Sequence, residues 1–161
     1  MEYFGKVLDK VNRTVEMISA GMLAVMVVAI FLQVIFRSVV KSAIPWSEEL
    51  ARYLMVWVSF LGASIAVRRK GHIGVEALVR VLSTGKKRWV LAAANVLSMT
   101  FFAAMIVLGC RILGIVRLQL SPAMELSMAV PYSAVLTGGI LMFVYSAYDL
   151  LISLGAGREN R

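Results

Sequence analysis

Four stretches of this chain contain no charged residue, and their placement constrains the fold more than any other feature. They run from Met17 to Phe36, Tyr53 to Val67, Trp89 to Cys110 and Leu126 to Tyr148, which is 20, 15, 22 and 23 residues. A helix needs about 20 apolar residues to cross about 30 Å of hydrocarbon. Three stretches meet that length outright. The second covers only about 22 Å at about 1.5 Å per residue. Leu50, Ala51 and the stem of Arg52 extend it, with Arg52 and Arg68 snorkelling outward. Across 161 residues, 60% are hydrophobic and 16% charged; a soluble domain is nearer half and a quarter. The chain therefore reads as an all-α integral membrane protein, a single domain over 1–161. Its four transmembrane helices are expected at about 17–37, 50–67, 89–111 and 126–149.

The connections carry short amphipathic interfacial helices. Residues 1–16 balance Lys6, Lys10 and Arg13 against Glu2, Asp9 and Glu16, while Phe4, Val7, Leu8, Val11 and Val15 recur at three- and four-residue steps. That pattern predicts an amphipathic helix leading into the first span. The run is too long for a secretory signal, so it reads as an uncleaved span. After Arg37, a new helix is expected to begin near Pro45 or Trp46, with Ser42 or Ser47 as its cap. His72, Glu76 and Arg80 form one polar stripe in a second amphipathic segment, about 72–84. Ser121-Pro122 marks a turn, and Pro131 is expected to kink the last span.

The net charge of +8 does not point to nucleic acid, because the basic residues cluster by position. Arg68, Arg69, Lys70, Arg80, Lys86, Lys87 and Arg88 lie between the second and third spans and meet only Glu76. Such an excess is the sign of a cytoplasmic loop, with Arg68, Arg69, Lys70, Lys86, Lys87 and Arg88 as its positive anchor. With the N-terminus inside, the inner segments hold 12 Lys and Arg and the outer loops hold 5 (Arg37, Lys41, Arg52, Arg111, Arg117). The expectation is cytoplasmic N- and C-termini.

The residues exclude most chemistry. One histidine (His72) and one cysteine (Cys110) cannot build the usual zinc site, a disulfide or a dithiol centre. No glycine-rich phosphate loop is present. The expectation is no enzyme, no cofactor and no metal. Transport pathways place ionisable groups deep in the bilayer, but the deep polar groups here are Gln33, Asn95 and several Ser or Thr. A helper subunit remains, one that works through its surface. Ser59 with Ala63, Gly62 with Ala66, and Gly138-Gly139 offer small-residue packing faces, serving either the chain's own helices or a partner.

The sharpest local feature is Pro45-Trp46-Ser47-Glu48-Glu49-Leu50-Ala51-Arg52. Arg52 stands four residues after Glu48 and three after Glu49, so it can pair with either. The group is either a self-contained ion pair that starts a helix at the interface, or a partner contact, since two acids face one base.

This segment, with Val56-Trp57, Phe60-Leu61-Gly62-Ala63 and Arg68-Arg69-Lys70-Gly71-His72-Ile73, resembles the small membrane subunit of tripartite ATP-independent periplasmic (TRAP) transporters. Leu120-Ser121-Pro122-Ala123-Met124, Met128 and Tyr132 are similar to that family's approach to its last span. Prolines expected near Ser127 and near Leu136 or Thr137 are replaced by Pro131 alone. The resemblance implies a scaffold subunit in a bacterial inner (cytoplasmic) membrane, bound to a large elevator-type membrane subunit. That large subunit takes up an organic acid, driven by a cation gradient, commonly sodium, and a periplasmic binding protein delivers the acid. It makes Trp46, Glu48, Glu49, Arg52 and Trp57 candidates for the contact with the large subunit, or for bracing that contact. Lys41 and Arg117, in the outer loops, are expected to be exposed enough to be candidates for contact with the binding protein. Membrane lipid is the other expected partner. The alternatives are a small subunit of a related tripartite carboxylate transporter, or an independent four-span exporter or channel.

Overall fold

The structure is a computed structural model that describes residues 2–41, 44–69 and 84–156. Four long helices make up nearly all of it: α1 (Glu2–Ile35), α2 (Pro45–Arg68), α3 (Thr84–Val116) and α4 (Ala129–Ala156). All four are long and apolar enough to cross a membrane. The amphipathic segment expected at about 72–84, with His72 and Lys70, lies outside the described residues except for Thr84.

Helix α1 is continuous from the amphipathic lead-in through the first span. It widens into a π-helical turn at Phe36–Val40, and Lys41 stops it with a left-handed backbone (φ 55°). Helix α2 begins at Pro45, where a missing N–H costs nothing. The expected serine cap is absent at Ser47: its hydroxyl donates to the Ile44 carbonyl (2.8 Å) instead of accepting an N–H. Ser42 lies outside the described residues.

The last span differs from expectation. The segment from Leu126 to Met128 is not helical; it closes a tight hairpin in which Met128 N–H donates to Gln119 (2.8 Å) and Ser121 N–H to Leu126 (2.8 Å). Helix α4 starts at Ala129, with the Ser127 hydroxyl accepting the Ala129 N–H (3.2 Å). Pro131 therefore falls in the first turn, where the helix has no carbonyl to offer its nitrogen. It starts the helix and does not kink it.

The helices pack as a row in the order α1, α2, α4, α3. Glycine sets the spacing around α4. A Cβ on Gly138 would sit 2.9 Å from the Phe60 Cβ of α2, and one on Gly139 would sit 3.4 Å from Ile106 of α3. Close approach of this kind lets dispersion act between helices where lipid offers no hydrophobic drive. Leu8, Tyr145 and Tyr148 form a buried cluster with Val67 at one end of the row, so the start of α1 and the ends of α2 and α4 lie together. The opposite end holds the hairpin and the start of α2.

Candidate functional site

Helix α2 carries all five residues singled out for partner contact, and the structure divides them between its two sides. Glu49, Tyr53 and Trp57 recur every four residues and face the chain's own α4 and hairpin. Glu49 is 5% exposed. Its Oε2 accepts the backbone N–H groups of Ala123 (2.9 Å) and Met124 (3.0 Å), and its other oxygen accepts the Tyr53 hydroxyl. Trp57 Nε1 donates to the Val130 carbonyl (3.1 Å). A carboxylate with several donors is well placed where water is scarce, because a buried charge without them is costly. Glu49 does not pair with Arg52 in the structure; its surplus charge is taken up by the hairpin backbone.

Glu48 and Arg52 point the other way. Their ion pair is long (3.8 Å) and both side chains are about two-thirds exposed, so it contributes at most about 1 kcal/mol. The same face continues down the helix. Met55, Ser59, Gly62, Ala63 and Ala66 follow at three- and four-residue steps, and all are exposed. Nothing lies within 4 Å of a Cβ built on Gly62. Ser59, Gly62, Ala63 and Ala66 are thus exposed, while Ser47, Ala51 and Ser64 of the same helix are buried and Gly138 and Gly139 set the spacing to α2 and α3. Trp46 is 49% exposed at the start of the helix.

The positive anchor is partly neutralised within the bundle. Arg68 donates to Asp9 (2.6 Å), approaches Asp149 (3.9 Å) and stacks over Tyr145 and Tyr148 at 5.9 and 5.2 Å. Arg69 binds Glu16 (2.8 Å). These contacts tie the end of α2 to α1 and α4. Lys86, Lys87 and Arg88 occupy the beginning of α3, and their side chains lie outside the described set.

Sequence reasoning missed the hairpin N–H groups as Glu49's partners and the acids that meet Arg68 and Arg69. Backbone donors leave no signature in side-chain identity. Asp9 and Glu16, seven residues apart on one helical face, did leave one. Arg117 borders a shallow groove with Leu113, Gly114 and Val130. Among the described residues no group of three or more His, Cys, Asp or Glu could hold a metal.

The family model for the DctQ component of tripartite ATP-independent periplasmic transporters matches residues 26–154. The chain is similar to a Haemophilus influenzae protein that carries the name TRAP transporter small permease protein, with 38% identity over 72 residues, 45% of each chain. It is similar to the isethionate TRAP transporter permease protein DctMQ of Oleidesulfovibrio alaskensis, with 27% identity over 81% of this chain and 22% of that one. It is also similar to the sialic acid TRAP transporter small permease protein SiaQ of Vibrio cholerae, with 27% identity over 65% of this chain and 61% of that one. The chain spans less than two thirds of the length of each of these relatives.

Proposed function

Because this chain belongs to the DctQ component family of tripartite ATP-independent periplasmic transporters, we propose that it is the static scaffold subunit of one such transporter. In this reading it holds a large elevator-type membrane subunit that takes up an organic acid, coupled to a cation gradient, with sodium the expected ion. A periplasmic binding protein delivers the acid, and the assembly sits in the bacterial inner membrane. The family is a transporter component and not an enzyme. The Lys and Arg bias of 12 against 5 supports cytoplasmic termini.

One observation carries the reading beyond family membership. The face of α2 that runs from Glu48 through Arg52 to Ala66 is exposed, small-surfaced toward its C-terminal end and charged at its start. Small side chains let two backbones approach closely in a membrane, and the exposed Glu48–Arg52 pair gives a docking helix a polar register mark. The large subunit is proposed to pack here, with Trp46 at the rim. Glu49 and Trp57 support the contact from behind by holding the hairpin and α4 against α2. Lys41 and Arg117, both exposed at the hairpin end, face the proposed periplasmic side, where the binding protein docks.

Reconstitution tests the reading. The chain and its large subunit are placed in liposomes separately and together, and sodium-dependent uptake is measured with the binding protein present. Uptake only from the pair is expected. Uptake or leak from this chain alone overturns the proposal in favour of an independent pathway.

A further inference from the structure

Helix α1 is 34 residues long, or about 51 Å. The charge-free stretch that starts at Met17 already covers the hydrocarbon, so the turns before it reach beyond the apolar layer. By sequence those turns are neutral, with three acids and three bases. Folding sorts the charges. Asp9 is held by Arg68, and Glu16 by Arg69 and Asn12 (2.6 Å). Leu8, Asn12 and Val15 are buried on that same side.

Lys6, Lys10 and Arg13 are separated by four and three residues, which places them within about 60° of one another on the helix. All three are exposed, and among the described residues no ion pair engages them. Exposed apolar side chains border them, notably Val7 and Val11 on one flank and Met17 in line with the stripe. Along the axis, Arg13 lies about 6 Å outside Met17, Lys10 about 10 Å and Lys6 about 16 Å. The headgroup layer is about 5–8 Å deep on each side. Arg13 therefore sits within it and the flexible stem of Lys10 reaches it.

We propose that this outward face of α1 binds the headgroups of anionic phospholipid, with Arg13 and Lys10 in contact and Lys6 adding long-range attraction. Two observations fix the occupant. The stripe itself carries only bases, and Arg68 and Arg69 engage the flanking acids Asp9 and Glu16. The stripe is also continuous with the exposed apolar surface of α1 at Met17 and Ile18, as in a helix that enters lipid. The inference rests on the chain's own surface and is independent of the transport role.

Native mass spectrometry of the full chain in detergent, titrated with phosphatidylglycerol or phosphatidylcholine, tests this. The unmodified protein is expected to prefer phosphatidylglycerol, with the preference lost between low and high salt as screening shortens. The triple variant Lys6→Gln, Lys10→Gln, Arg13→Gln is expected to lose about tenfold or more in phosphatidylglycerol affinity. A control variant, Arg37→Gln, Arg111→Gln, Arg117→Gln, removes the same charge at the other end and is expected to keep it. Circular dichroism melting verifies that both variants are folded. Equal loss in both variants, no loss in the first, or no lipid preference in the unmodified protein overturns the proposal. Unchanged lipid binding with lost co-purification of the large subunit overturns it in favour of a protein contact.

Discussion

Arg68 at the end of α2 donates to Asp9 in the lead-in of α1, 2.6 Å away and 59 positions earlier in the chain. The guanidinium also approaches Asp149 at 3.9 Å and lies over two tyrosine rings, so one side chain joins three helices. Arg68→Ala leaves those acids without it and is expected to destabilise the bundle by about 1–3 kcal/mol, below the roughly 3–5 kcal/mol of a fully buried pair because Asp9 is well exposed. A double-mutant cycle with Asp9→Asn, read by thermal unfolding in detergent, is expected to give a coupling of about 1 kcal/mol or less. A much larger coupling would mean that Asp9 and not Asp149 is the chief partner.

Glu49 is the only described side chain that binds the hairpin tip through both Ala123 and Met124. Glu49→Ala strands two N–H donors and leaves the Tyr53 hydroxyl only the Met128 sulfur at 3.4 Å. It is expected to lower the melting temperature by roughly 5 °C or more and to expose the hairpin to protease. Glu49→Asp keeps the charge on a shorter arm and is expected to fall between the two. An unchanged melting point in Glu49→Ala would show that the hairpin holds itself.

Glycines on α2 and α4 are expected to respond differently. Gly138→Ala puts a methyl 2.9 Å from Phe60 Cβ and 3.1 Å from its carbonyl oxygen. That separates α2 from α4 and costs about 1–3 kcal/mol. Gly62→Ala meets nothing within 4 Å and changes the stability of the isolated chain by less than about 0.5 kcal/mol. Melting of the two purified variants side by side decides this.

The outward face of α2 gives the complementary result for the complex. Ala63→Leu and Arg52→Glu are expected to leave the isolated chain folded and to weaken co-purification with the large subunit, Arg52→Glu by placing a second acid beside Glu48. Retention of the intact pair in both variants would remove this face as the contact.

Much of the molecule was legible in the sequence. The four helices follow from charge-free length alone, since a backbone inside hydrocarbon must satisfy its own hydrogen bonds and a long apolar segment does so as a helix. The start of α2 at Pro45 followed from a residue that tolerates the first turn. The Pro131 kink did not appear, because hydrophobicity marks where the apolar layer begins and not where the helix begins. Ser127 and the hairpin decide the latter.

The amino-acid order by itself therefore determined that four apolar helices long enough to cross a membrane form among the described residues, together with the family to which Pro45-Trp46-Ser47-Glu48-Glu49 belongs. Only the tertiary structure decided which side each charge serves. Glu48 and Glu49 are chemically identical neighbours, yet one faces outward with Arg52 and the other is consumed by the hairpin. Likewise, Asp9 and Glu16 share a helix with Lys6, Lys10 and Arg13, yet they pair with Arg68 and Arg69 of α2. Sequence fixes which charges share a helix, but a charge's role depends on which partners lie within a few ångströms, and those partners are brought there by helices remote in the chain.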